Sequence, residues 1–353
     1  MKGQKGEQNK LLTGGDSLMA YETEDQETQY CFPDINSSCV KGQRSRYEYI
    51  IMYVFFSLLS AWTVFLNLLV IISISHFKKL HTPTNMIILS LAVADLFVGL
   101  IVMPVEAVRL IETCWYFGDT FCGLFLIVMA LLGSTSLSNL VLIAADRYVA
   151  VCHPLLYPQK ITITKTLISI CVCCFISLAY STVIVFQNKH LESSNITDVC
   201  YGECGFYPTF IFIVFDEIYS FLLPCILIIT AYVRIFYVAF KQVKVINSLM
   251  KGGKCVTEGS VKRKSESKAA LTLGIIVTVY LLCYIPYYIS SIIGPTVISP
   301  DTMTYLLWAF YVSCGLNPLI YALFYHWFKI SVKHILTLKI LEPASSLLDI
   351  FTA

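Results

Sequence analysis

Charge is the scarce component of this 353-residue sequence: Asp, Glu, Lys and Arg make up 14% of it, against 57% hydrophobic residues and a mean hydropathy of +0.71. Soluble domains carry about a quarter charged residues, so the polar surfaces that one or two soluble domains would expose are missing. Between positions 49 and 77 there is no Lys, Arg, Asp or Glu at all. This shortage excludes a soluble enzyme, a nucleic-acid binder and a disulfide-stapled mini-protein. Internal repeats and heptads are also lacking. The first 48 residues have no apolar core of the kind a cleavable signal peptide carries, so the first apolar stretch is expected to serve as its own insertion signal. The low hydrophobicity of that leader predicts disorder.

What the sequence does have is a series of apolar stretches, each near the roughly 20 residues that a bilayer core demands. They run over 49–75, 85–110, 120–152, 164–186, 208–240, 269–293 and 302–323. The predicted fold class is therefore an all-α membrane protein, a seven-transmembrane helix bundle. Its parts are an N-terminal segment (1–48), the bundle (49–323) and a tail (324–353) that opens with a short amphipathic helix, because 325–333 alternates apolar and basic residues. Basic residues collect after spans one, three and five and in the tail, among them Lys78, Lys79, Lys160, Lys241, Lys244 and Lys333. The other loops lean acidic, with Glu112, Asp119, Glu192, Asp198 and Asp301. By the positive-inside bias the N-terminus is outside. The sequons at Asn36 and Asn195 fall on that outer side. So do Cys31, Cys39, Cys114, Cys122, Cys200 and Cys204, in a compartment where disulfides persist.

A charge inside a span costs about 2.5–3.5 kcal/mol at the helix centre, so each one is a functional candidate. Asp95 lies mid-way through span two, and Glu106 and Arg109 close its outer end. Asp146-Arg147-Tyr148 ends span three, and Asp216-Glu217 precedes Pro224 in span five. Taken by themselves these residues fit a receptor with a cation site, or a seven-span transporter or channel using Asp95 and Asp216 as a path. Transporters of that kind show inverted repeats and paired Gly/Pro interruptions, which are not visible here.

The ordered set Asn67, Leu91-Ala92-Val93-Ala94-Asp95, Asp146-Arg147-Tyr148, Pro224 with Tyr232, Cys283-Tyr284-Ile285-Pro286 and Asn317-Pro318-Leu319-Ile320-Tyr321 resembles the landmarks of rhodopsin-like G-protein-coupled receptors. The resemblance covers nearly all of 47–335. Cys31-Phe32-Pro33-Asp34-Ile35-Asn36-Ser37-Ser38-Cys39, Cys114-Trp115-Tyr116-Phe117-Gly118-Asp119, Cys200-Tyr201-Gly202-Glu203-Cys204 and Tyr325-His326-Trp327-Phe328 narrow it to the trace amine-associated receptors. That resemblance implies a receptor rather than an enzyme, with no cofactor and no nucleic acid. It implies a sensor of volatile amines in the plasma membrane, in the cilia of olfactory sensory neurons, signalling through a stimulatory heterotrimeric G protein to cyclic AMP. A non-amine ligand is the alternative within the same fold. A bridge between Cys122 and Cys204, and a pairing of Cys200 with Cys31 or Cys39, are implied as well.

The chain departs from the amine-receptor pattern at the ligand. Where such receptors carry an aspartate in span three, 18 residues before the Arg of Asp-Arg-Tyr, this sequence has Met129. It is similar in this to the fish-expanded branch, which carries an aspartate in span five instead, where Asp216 stands. An ammonium in a low-dielectric pocket needs an anion, and Asp216 supplies one. The expected ligand set adds Ser220 one turn on, Met129 for packing, and Tyr287, Tyr288, Trp308 and Tyr311 as an aromatic cage, with Glu217 or Glu106 for a second ammonium. The expected switch is Arg147, latched to Glu266 at the foot of span six, with Asp146 and Tyr148 beside it. Tyr232 and Tyr321 would support Arg147 once freed, Tyr284 replaces the usual tryptophan, and Asn317 and Pro318 shape span seven. Asp95, Ser136, Ser313 and Asn317 stand at the family's sodium site together with Cys314, whose thiol is a poor ligand for a hard cation.

Overall fold

The computed structural model describes residues 28–186, 200–205, 210–251, 258–293, 298, 300–324, 326–342 and 345–347; at 243, 246–251, 258–273, 276, 300, 301, 321–324 and 326 it describes the backbone alone. Asn195, Glu192, Asp198 and Tyr325, and the side chains of Glu266, Asp301 and Tyr321, lie outside the described residues.

Seven long helical segments form one bundle. Span one is Arg46–His76, span two Pro83–Glu112, span three Asp119–Cys152, span four Ile163–Phe186, and span five begins at Phe210 and continues through Leu223–Lys251. Span six is Glu258–Ile293, with an apolar part at Val277–Ile293, and span seven is Pro300–Phe324. Ile51, Leu58, Phe175 and Ile211 point away from the bundle and are exposed. Such a coat is the lipid-facing surface of a membrane protein, whose backbone polar groups the helices satisfy internally. Inside, Leu91, Leu140, Ile143, Ile228, Tyr280 and Tyr284 form the main core. The buried Asn67 side-chain amide donates to the carbonyls of Thr63 and Cys314, at 2.9 and 3.1 Å, and so ties span one to span seven.

Two spans are interrupted by π-turns, at Val98–Val102 and Glu217–Leu222. Each directly precedes a Met-Pro or Leu-Pro pair, Met103-Pro104 and Leu223-Pro224. Proline has no N–H for the carbonyl four residues back and its ring crowds that carbonyl, so the helix widens by one residue instead. Met103 N–H bonds to the Val98 carbonyl, and Leu223 N–H to that of Ile218. The Ser60 hydroxyl of span one donates to the Gly99 carbonyl of span two at 2.7 Å. A Cβ at Gly99 would stand 3.0 Å from Val64, so glycine is what lets spans one and two touch here.

The N-terminal segment corrects one expectation. Over 28–45 it is folded rather than disordered, and the first helix starts at Arg46 because Ser45 caps it. The Ser45 hydroxyl accepts from Glu48 N–H while the Glu48 carboxylate accepts from Ser45 N–H, a capping box. The segment is stapled: Cys31 is bonded to Cys114, Cys39 to Cys200, and Cys122 to Cys204. Backbone bonds weave the same strands of chain together, Cys39 N–H to the Tyr201 carbonyl at 2.9 Å and Tyr201 N–H to that of Ser37 at 2.7 Å. Lys41 pairs with Glu112 at 2.7 Å, and this carboxylate holds the Lys41 pKa above its ordinary value. Asn36 is exposed on the segment. At the other end, His326–Leu336 forms a helix whose Trp327 and Phe328 are buried against the bundle.

Candidate functional site

In the half of the bundle nearer the N-terminal segment, spans three to seven enclose a cavity of about 210 Å³. Its walls include Met129 of span three, Tyr180 and Ser181 of span four, Asp216 and Ser220 of span five, Tyr287 and Tyr288 of span six and Tyr311 of span seven. Asp216 is the single acidic residue among these wall residues. The Tyr180 hydroxyl donates to Asp216 Oδ1 at 2.5 Å and the Ser220 hydroxyl reaches the same oxygen at 3.0 Å. Among the described residues no Lys or Arg forms an ion pair with it. Across the cavity, Tyr288 stacks on Phe221 with ring centroids 4.1 Å apart, and the Tyr311 hydroxyl points at the Met129 sulfur, 3.9 Å away.

Tyr180 and Ser181 were not singled out from the sequence. The available signal was weak, because span four carries other hydroxyl residues, among them Thr166, Ser169, Ser177 and Thr182. Ser181 Oγ is buried and has no hydrogen-bond partner among the described residues, so it is an open polar contact in the wall.

Three members of the expected ligand set lie elsewhere. Trp308 packs edge-on against Phe56, with centroids 5.0 Å apart, in the seam between spans one and seven rather than in the cavity. Glu217 is buried one position round the helix from Asp216, facing Ser291 of span six. Glu106 is fully buried and occupied by Arg109, whose Nε donates to Oε2 at 2.9 Å and whose Nη2 bonds the other oxygen.

Below the cavity, Tyr284 is fully buried between Tyr280 and Phe310, with centroids 3.6 and 4.1 Å away. Beneath it Asp95 accepts from the Asn317 amide at 2.9 Å and from Ser136 at 3.4 Å. Ser313 turns its hydroxyl to the Phe310 carbonyl at 2.6 Å. The carboxylate is thus served by donors, one expected ligand faces away and Cys314 offers sulfur, so these residues do not fit a sodium ion.

At the tail end, Arg147 is held in a four-residue cluster. It donates to Asp146 Oδ2 through Nε at 2.9 Å and Nη2 at 2.6 Å, and to Thr84 and Tyr157. Thr84 and Tyr157 donate in turn to Asp146, at 2.8 and 2.9 Å. Burial, with the Asp146 carboxylate beside it, pushes the Tyr157 phenol up to about 12, which keeps it a donor at neutral pH. Tyr148 packs on His153, and Tyr232 is buried against Phe236. Thr84 and Tyr157 escaped the sequence reading because both lie outside the charged motif they serve.

A seven-helix membrane bundle with a largely apolar cavity that holds one carboxylate near one end, and a clamped Asp-Arg pair at the other, has the architecture of a signalling receptor. Residues 66–321 match the family model described as 7 transmembrane receptor (rhodopsin family). Over 335 residues the sequence is 40% identical to trace amine-associated receptor 13c of Danio rerio, covering 92% of this chain and 97% of that one. It is 37% identical to trace amine-associated receptor 6 of Rattus norvegicus over 332 residues (92% and 96%), and 37% identical to trace amine-associated receptor 8a of the same species over 336 (92% and 97%). The chain belongs to the rhodopsin family of seven-transmembrane receptors and, within it, to the trace amine-associated receptors. It is a receptor and not an enzyme, a multi-pass membrane protein that couples a small-molecule ligand to a G protein.

Proposed function

We propose that this receptor senses a small protonated amine, anchored by Asp216, and answers through a stimulatory G protein that raises cyclic AMP. The observation that carries this is the state of Asp216: a carboxylate in a cavity wall, bonded by two hydroxyls and paired with no basic side chain among the described residues. An anion so placed favours a cationic guest. Tyr287, Tyr288 and Tyr311 line the same space, and a cation over an aromatic face gains about 0.5–2 kcal/mol. A cavity of about 150 Å³ holds benzene, so about 210 Å³ suits a compact amine. The names of the relatives support the same ligand class.

The N-terminal segment is assigned to the outside of the plasma membrane, supported by its three disulfides, its Asn36 sequon and the basic residues at the opposite face. Olfactory cilia are the expected site of expression.

The test is a cyclic AMP reporter screened with primary, secondary and tertiary amines. Removing one partner of a desolvated charge pair costs about 3–5 kcal/mol, and about 1.4 kcal/mol is a decade. Asp216→Asn is therefore expected to shift the dose-response by about two decades or more at matched surface level, and Met129→Ala by far less. Full potency in Asp216→Asn, or a best agonist without positive charge, refutes the assignment.

A further inference from the structure

On the side of the cavity toward the N-terminal segment, span two carries an inward-facing ion pair that the amine site does not use. Both oxygens of Glu106 are taken by Arg109, and Arg109 Nη1 donates to the Cys204 carbonyl at 3.1 Å, so the disulfide-bonded loop fixes the pair in place. The two partners are not equally accessible. Arg109 keeps 31% of its side chain exposed while Glu106 keeps none, so a molecule arriving at that end meets the cation. Tyr287 links this pair to the anchor. Its hydroxyl lies near Glu106 and Arg109 and also near Asp216, and that of Tyr311 lies near the same Glu106–Arg109 pair. Both tyrosines line the cavity.

We infer that Glu106 and Arg109 form a masked second cation subsite, and that Arg109 restricts this receptor to ligands with a single positive charge. The inference rests on Asp216 as the anchor of the first ammonium. A second ammonium needs its own anion in a low-dielectric site, and the carboxylate at that end is covered by a guanidinium, which repels it. Glu217 offers no substitute at that end, because it stands beside Asp216 in span five, next to Ser291 of span six. Alkyl, aryl or hydroxyl ends meet no such penalty. Removing Arg109 uncovers an anion, whereas removing Glu106 uncovers a planar fork suited to a carboxylate.

The experiment uses the full-length receptor with a G-protein activation readout, and chain-matched monoamines, α,ω-diamines and ω-amino acids. In the wild type, each diamine is expected to be weaker than its matched monoamine by about tenfold or more. Arg109→Gln is expected to close or reverse that gap, and the double variant Arg109→Gln with Glu106→Gln to reopen it. Glu106→Gln is expected to gain a response to ω-amino acids that the wild type lacks. Diamines as potent as monoamines on the wild type overturn the inference, as does an unchanged gap in surface-expressed Arg109→Gln. Should Arg109→Gln fail to reach the surface, the wild-type ratio and the Glu106→Gln response decide. Loss of amine response in Asp216→Asn together with equal diamine and monoamine potency sinks the mask alone; amine potency indifferent to Asp216 sinks the anchor.

Discussion

Asp216 is bonded by hydroxyls, and this sets how far its neighbours matter. A hydrogen bond to a charged group is worth about 1.5–3 kcal/mol, so Tyr180→Phe is expected to weaken amine potency by about tenfold or more. That is less than Asp216→Asn, because the anion survives. Dose-response curves at matched surface expression check this, and improved potency would mean instead that Tyr180 competes with the ligand for the carboxylate. Trp308→Phe is expected to leave potency nearly unchanged, since its ring lies against Phe56 and outside the cavity. Asp216 was legible in the sequence because a charge in a span is expensive and stands out. Tyr180 was not, since a tyrosine in an apolar run costs little and signals little. Trp308 misled for a related reason: aromatic content does not distinguish a cavity wall from a seam between helices. The Glu106–Arg109 pair could have been read from its spacing, because residues three apart share a helix face.

Helix boundaries in the membrane were largely legible, since apolar length marks them, but the π-turns were not. Their signal is a proline two positions after the turn, and the same prolines would have been compatible with a simple kink. In span five Ser220 serves Asp216 twice, reaching its carbonyl at 2.6 Å as well as its carboxylate. Low hydrophobicity predicts disorder for the N-terminal segment, yet residues 28–45 are ordered. Its order comes from cross-links to distant parts of the chain, and a bridge is typically worth about 2–4 kcal/mol. Because Cys39 and Cys200 form a single bond, Cys39→Ser, Cys200→Ser and the double variant are expected to reduce surface delivery to the same level. Flow cytometry of the three checks this, and additive losses would show that each cysteine has a separate partner.

At the scale of the whole molecule, the cavity and the Arg147 cluster lie at opposite ends of span three, joined by the stack of Tyr284, Tyr280 and Phe310 and by Asp95 with Asn317. Ligand binding shifts the receptor only by favouring one arrangement of these contacts over another. Thr84 and Tyr157 hold Asp146 and Arg147 together, so weakening the cluster favours release of Arg147. A loss of about 1 kcal/mol changes a two-state ratio by about fivefold. Tyr157→Phe and Thr84→Ala are each expected to raise basal cyclic AMP by that order, whereas Arg147→Ala is expected to abolish signalling with ligand affinity kept. Unchanged basal activity in normally expressed Tyr157→Phe would remove the cluster from the switch. The motif around Arg147 was legible as a charged landmark; its two hydroxyl partners come from span two and the connection after span three, and only the folded chain brings them together.

The three disulfides have one more consequence. Cys31 to Cys114, Cys39 to Cys200 and Cys122 to Cys204 join the leader to the connection between spans two and three and to the one between spans four and five. The polypeptide is thereby a closed circuit on that side rather than a line with a loose start. A proteolytic nick between Cys39 and span one would break the backbone and still release nothing, because the piece before the cut stays covalently attached to spans two and five through their loops. Only a reductant together with the cut would set it free.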